Sequence, residues 1–222
     1  MSLVIAIDGP AGAGKSTIAK KVAKELQAIY VDTGAMYRAM ALYMIREGVD
    51  GNDKEAVQNK CNDVDITIRF ENGEQNVILN GENVNGLIRT EEVGNMASVC
   101  SAIPKVREKL VSLQRSLADS TDVVMDGRDI GTVVLPGANP KIYLTASSKV
   151  RAERRYKELV EKGETPDIAV IEQDIIDRDY RDMHRDISPL KQAEDAILLD
   201  SSNMTIDEVK NKIIELAKSV QA

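Results

Sequence analysis

Tryptophan is absent from the 222 residues and phenylalanine occurs once, at Phe70, so the core the chain buries must be aliphatic. Cysteine is scarce too. Cys61 and Cys100 lack metal-ligand spacing, which predicts reduced packing thiols and neither a disulfide nor a zinc site. No apolar run approaches the length of a membrane span, and no basic segment leads into a long apolar stretch at the N-terminus. The expectation is a cytoplasmic protein without membrane association. An excess of basic residues is also missing: the formal charge of −7 argues against a general binder of nucleic acid or anionic membrane, which need a basic face. An anionic ligand must therefore meet locally clustered cations. Internal repeats and low-complexity linkers do not occur.

Apolar residues make up 43% of the chain, enough to bury a full core as one large domain, 1–222, or a core carrying a small insertion. The most specific segment is Gly9-Pro10-Ala11-Gly12-Ala13-Gly14-Lys15-Ser16, followed by Thr17, which matches the phosphate-cradling pattern G-x-x-x-x-G-K-[ST] at every constrained position. Leu3–Ile7 before it is a short apolar run ending at Asp8, and Ile18–Leu26 after it is helical in pattern. Strand, loop and helix predict a nucleoside triphosphate site, in which glycines let the backbone wrap a phosphate and the helix N-terminus supplies unpaired N–H groups. Lys15 reads as a mobile, solvent-side charge. Ser16 or Thr17 offers a hydroxyl to Mg²⁺, and Asp126, ending a later strand, offers a carboxylate through water.

Downstream, Ala28–Val31 is a short strand, and a helix follows through Glu47 with Thr33 as its expected N-cap. Ile66, Ile68 and Phe70 alternate with polar residues, Glu71-Asn72-Gly73-Glu74 supplies a turn, and Val77–Leu79 follows, which predicts a hairpin within an inserted subdomain at 62–92. Helical patterning resumes near Val93 and reaches Leu117, with Pro104 as a break or first helical residue. Val123–Met125, Lys141–Leu144 and Ala196–Leu199 are short apolar strands of the kind a parallel sheet buries on both faces. The predicted fold class is α/β: a parallel sheet between helices, a small antiparallel insert and a short helical lid at 148–166.

Two helices are rich in arginine. One carries Arg151, Arg154 and Arg155 on one face and ends at Lys162-Gly163; the next, Asp167–Asp186, has Ile168, Ile171 and Ile175 on one stripe and Arg178, Arg181 and Arg185 on another. Asp174–Arg178 and Asp177–Arg181 are i,i+4 pairs that fit an exposed solvated helix. Beside a triphosphate loop, the same stripes fit clamps on a transferring phosphoryl group.

Asp-Thr-Gly-Ala-Met-Tyr-Arg (32–38), Ile-Arg-Thr-Glu-Glu-Val (88–93), Met-Asp-Gly-Arg-Asp-Ile-Gly-Thr-Val-Val (125–134) and Arg-Asp-Tyr-Arg-Asp-Met-His-Arg (178–185), together with Ile7–Thr17, resemble the bacterial cytidylate kinases. The resemblance spans nearly the whole chain. It implies transfer of the ATP γ-phosphoryl group to CMP or dCMP, and phosphate-loop kinase architecture. By it, Ser98, Arg107 and Asp129 read the base. Thr33, Arg38, Arg128 and Arg185 hold the acceptor phosphate, and Asp182 with Arg178 lies near the sugar. Arg155, with Arg151 and Arg154, belongs to a mobile lid over ATP; Lys15, Arg128, Arg155 and Arg185 are the implied catalytic cations, with Mg²⁺ at Ser16 and Asp126. Some relatives have Ser at Thr33 and Gly at Ser16, changes that preserve or add a hydroxyl.

Each role has a plainer alternative: Arg107 as surface charge, Asp129 as a turn cap, Ser98 as helix packing. His184, the single histidine, receives no role, because phosphoryl transfer depends on positioning and electrostatics more than on a strong base. A GTPase is disfavoured by the lack of an Asn-Lys-x-Asp motif. A kinase for another nucleoside monophosphate such as UMP, and a non-catalytic nucleotide sensor, are the competing readings. The lack of a long exposed heptad or an apolar interface pattern points to a monomer.

Overall fold

The computed structural model describes residues 2–71, 73–119 and 121–221. Asn72, assigned to the hairpin turn, lies outside them. In chain order the elements begin with β1 (Val4–Asp8), α1 (Lys15–Glu25), β2 (Ile29–Asp32), α2 (Thr33–Arg46) and α3 (Lys54–Lys60). The hairpin strands β3 (Ile66–Glu71) and β4 (Glu74–Leu79) follow, then β5 (Glu82–Asn83), α4 (Glu91–Cys100) and α5 (Pro104–Ala118). After β6 (Val123–Gly127) a π turn occupies Ile130–Val134, and β7 (Lys141–Thr145), α6 (Ser148–Glu161), α7 (Ile168–His184), β8 (Ile197–Asp200) and α8 (Ile206–Gln221) complete the chain. Contacts group these into two compact units, Met1–Ala28 with Asp122–Ala222, and Ile29–Thr121.

In the first unit the parallel strands run in the order β6-β1-β7-β8. Val4 pairs with Val123 and Asp8 with Gly127, so the segments leaving β1 and β6 emerge side by side at the carboxyl edge, where α/β sheets place their ligands. All five residues of β6 are buried, as are Ile5–Asp8 of β1, which explains the apolar runs Val123–Met125 and Ile5–Ile7 that lead to a buried aspartate in each strand. β8 departs from the expectation of a buried strand. It ends the strand order, and Ile197 and Leu198 are 41% and 57% exposed. α6 is capped by Ser147, whose hydroxyl accepts from Val150 N–H, and the helix ends before Gly163 at φ 84°. It packs through Ala152, Tyr156 and Leu159 on Ile171 and Ile175 of α7; Ile168, placed on the same stripe by sequence, is 42% exposed because it sits at the first helical position.

The second unit has its own core, in which Met36, Met40 and Met44 of α2 meet Val77 and Leu79 of β4, Ile88, and Val106 and Leu110 of α5. The hairpin pairs Ile66 with Leu79 and Glu71 with Glu74, and β5 adds a third antiparallel strand. Pro104 is the first residue of α5, where its missing N–H costs no hydrogen bond. The cap of α2 is not Thr33. Asp32 has extended backbone, ψ 95°, and its Oδ1 accepts from Ala35 N–H at 2.9 Å, while Thr33 is already helical. Cys61 and Cys100 are free, buried thiols of this core; burial pushes Cys100 up to about 11. No helix among the described residues is long and apolar enough to cross a membrane.

Candidate active site

The segment after β1 wraps into a loop that glycine alone permits. Gly9 has φ 149°, and a Cβ there would stand 1.9 Å from the carbonyl oxygen of Leu144, so any side chain would displace β7 backbone. Gly14 at φ 86° precedes α1, which has no side-chain cap and so presents its first N–H groups to an anion. Lys15 is buried rather than solvent-side. Its Nζ donates to the Pro10 carbonyl at 2.7 Å, because the loop folds back over it. Burial, reinforced by the charge of Arg128, pushes the ammonium down to about 7 against the opposing pull of Asp126 and Asp8.

Ser16 Oγ donates to Asp126 Oδ2 at 3.0 Å across the β1–β6 edge, and Asp126 is buried. A hydroxyl and a carboxylate are the hard oxygen donors that Mg²⁺ takes, alongside water and phosphate oxygens. Among the described residues no three His, Cys, Asp or Glu side chains cluster to hold a metal alone, so these two residues fit an ion completed by a nucleotide.

α7 brings carboxylate and guanidinium groups to the end of β6. Arg128 Nε donates to Asp182 Oδ2 at 3.0 Å, and Arg185, just past the helix, donates through Nε to the Ser188 carbonyl at 2.6 Å. Arg185 also lies 3.9 Å from Asp129 Oδ1, with both side chains largely buried. Burial pushes the Asp182 carboxyl up, but Arg128, Arg178 and Arg185 outweigh it and hold the group below the usual carboxylate range. The charge of Arg178 likewise acts on Lys15. Thus the first unit gathers Lys15, Ser16, Asp126, Arg128, Asp129, Arg178, Asp182 and Arg185 around one carboxyl edge of the sheet.

The arginines of α6 divide. Arg151 is buried, with Nε donating to the Ala146 carbonyl, one terminal nitrogen donating to the Ala11 carbonyl, each at 2.9 Å, and the other 2.6 Å from Asp179. Arg154 donates to the Ser201 carbonyl at 2.8 Å and to Ala13 at 3.5 Å. Arg155 instead faces solvent and pairs with Glu158 at 3.0 Å. Of the expected surface pairs on α7, Asp177 accepts from Gln173 with its carboxylate and from Arg181 with its carbonyl. His184 is exposed, stacked on Tyr180 at 4.0 Å.

In the second unit Arg107 is 4% exposed, which rules out the surface-charge alternative. One terminal nitrogen donates to the Ser101 carbonyl at 3.4 Å, and the guanidinium carbon lies 5.7 Å from the Tyr37 ring centre. Ser98, half-buried on α4, offers its carbonyl to the Ser101 hydroxyl. Arg38 donates to the Ile88 carbonyl at 3.3 Å, and Thr33 is buried at the start of α2.

The family pattern described as cytidylate kinase matches residues 5–219. The chain belongs to the cytidylate kinase family. It is 52% identical to a cytidylate kinase of Lactobacillus johnsonii over 98% of this chain and 94% of that one, and 50% identical to one of Ligilactobacillus salivarius over 96% of each. Among solved structures, a gluconokinase from Sinorhizobium meliloti superposes with a TM-score of 0.52 at 13% identity, covering 98% of this chain and 93% of that chain, a likeness of fold alone.

For this cytidylate kinase family member, sequence reading passed over several polar residues that build the site's frame. Asp8, Asp32, Arg89 and Asp179 stand in the motif runs without an assigned role, and Gln75 lies outside them. Gln75 on β4 accepts from Asp32 N–H at 2.8 Å and donates to its carbonyl at 3.1 Å, and Arg89 pairs with the Asp32 carboxylate at 2.6 Å. The runs 32–38 and 88–93 hinted at this, through Asp32 at the helix start and Arg89.

Proposed function

We infer that the chain transfers the γ-phosphoryl group of ATP to CMP or dCMP, forming ADP and CDP or dCDP. One observation carries the reading: the family match extends over 5–219 in a chain whose Lys15, Arg128 and Arg185 are assembled on one sheet edge. The fully described loop, Gly9 to Thr17, is assigned the ATP phosphates. Lys15 follows charge on the transferred group, and Arg128 and Arg185 hold the acceptor phosphate with Arg38 and Thr33. Asp182 and Arg178 are assigned the sugar. Arg151 and Arg154 fix the loop backbone by the hydrogen bonds they already make, and Arg155, still facing solvent, is the lid arginine with freedom to reach ATP, the lid being 148–166. Ser16 and Asp126 would hold Mg²⁺, which when bound neutralises phosphate oxygens.

Base choice falls to Ser98, Arg107 and Asp129. The Asp129 carboxylate accepts from the cytosine N4 amino group, and Arg107 donates to the acceptor edge. Uracil turns an oxygen toward that carboxylate, a mismatch of on the order of 1–3 kcal/mol. The segment 62–92 is assigned to nucleoside monophosphate binding, and a cytoplasmic monomer is the expected state. A coupled assay of ATP consumption over a panel of nucleoside monophosphates tests the reading: CMP and dCMP should be turned over far better than UMP, AMP or GMP. Turnover of UMP or AMP above CMP, or of none of them, would overturn it.

A further inference from the structure

Asp8, the last residue of β1, lies within the run Ile7–Thr17 but was given no role, and its side chain hydrogen-bonds neither the loop nor any residue assigned to the acceptor. It is 5% exposed, and its two oxygens are fully committed: Oδ1 accepts from Ile130 N–H at 2.8 Å and Oδ2 from Gly131 N–H at 2.7 Å. Those are the first two amides of the π turn that follows Arg128 and Asp129. At that position a turn has no backbone acceptor for them, so Asp8 acts as its cap from a strand 122 residues away in sequence. Asp129 itself has φ −146° and ψ 26°, outside regular structure, and its carbonyl accepts from both Val133 and Val134 N–H. The peptide planes on either side of Ile130, the first of them leaving Asp129, are therefore set by hydrogen bonds rather than by a helix or strand. The seat is also close-packed: a Cβ on Gly131 would lie 3.1 Å from Lys141 Cδ and 3.4 Å from Asp8 Oδ2.

We propose that Asp8 is a positioning residue for acceptor recognition, its carboxylate fork seating the turn that aims Asp129 and Arg128. The inference rests on the assignment of Asp129 to the base and Arg128 to the acceptor phosphate. A carboxylate suits the task because both partners are donors; an asparagine of the same shape offers one acceptor and sets its NH₂ against the other N–H.

The test uses Asp8→Asn and Gly131→Ala in the full chain, with kcat and KM for CMP and UMP and the ATP dissociation constant measured separately. Both variants should lose CMP-over-UMP preference in kcat/KM by on the order of tenfold, since small misplacements of a reading group act on selectivity, while ATP affinity holds in Gly131→Ala, which keeps the Asp8 charge beside Lys15. An unmoved ratio with uniform loss, or a defect confined to ATP, would overturn the inference. Wild-type enzyme without CMP preference would instead sink the proposed function. Should either variant not fold, amide exchange by NMR in the wild type decides. The Ile130 and Gly131 amides should be protected before CMP is added; exchange at open-chain rates until CMP binds would show that Asp8 does not seat the turn.

Discussion

Lys15 is held where its charged form is weakened until an anion arrives, because the loop buries it near Arg128, with the Pro10 carbonyl as its hydrogen-bond acceptor. In the unfolded chain it keeps its proton to about 10.5, against about 7 when folded. The unfolded state therefore binds more protons between those values, and stability should rise with pH across that window. Lys15→Met should flatten this slope and stabilise the nucleotide-free protein at neutral pH by about 1–2 kcal/mol, while abolishing phosphoryl transfer. Urea melts and the coupled assay check both halves. The same physics predicts proton uptake when ATP binds at alkaline pH, visible in calorimetry as an enthalpy that depends on the buffer's ionisation heat. At Asp129 the prediction concerns selectivity: Asp129→Asn keeps shape but presents a donor to uracil O4, and the CMP-to-UMP ratio of kcat/KM should fall by roughly tenfold or more. Arg185 lies 3.9 Å away, so an equal loss on both substrates would mean that Asp129 supports the arginine instead.

Elements carry their functional residues at their ends, and how each end is satisfied decides what that end can do. α1 starts uncapped at Gly14 and keeps its amides for a ligand, whereas α2 starts at a carboxylate that already serves Ala35, Arg89 and, through its backbone, Gln75. Asp32→Ala should cost about 1 kcal/mol for the cap alone and more once the Arg89 pair is lost, read as a lower urea midpoint. Thr33→Val should leave that midpoint almost unchanged, because the threonine is not the cap. Asp32→Asn, which keeps the cap and removes the charge, should fall between. At the other end of β1, Gly9→Ala should fail to give stable protein, since its Cβ would meet a backbone carbonyl at 1.9 Å.

Across the whole molecule, buried carboxylates set opposing pH dependences. Asp182 is held below its unfolded value of 3.8 by its arginines, so its stabilisation is present above that pH and is lost as the solution is acidified. Asp8 runs the other way: burial raises it from 3.8 to about 6, and its contribution, complete below 3.8, fades as pH rises through 6. The stability difference between wild type and Asp8→Asn should thus be larger near about pH 4.5 than near about pH 7.5, by urea denaturation at each. A difference that grows with pH would reverse that sign. What the sequence determined by itself is what short-range sterics and periodicity encode: the loop Gly9–Ser16, the hairpin at Ile66–Leu79, Pro104 opening α5, Gly163 closing α6 and the family motifs. What only the tertiary structure decided is burial and partnership between distant segments. Lys15 is enclosed, Arg107 is interior, β8 is an exposed edge, Arg151 is spent on loop carbonyls, and Asp8 caps a turn 122 residues away. These follow from the parallel register of β1 with β6 and from packing, which no local pattern of residues records.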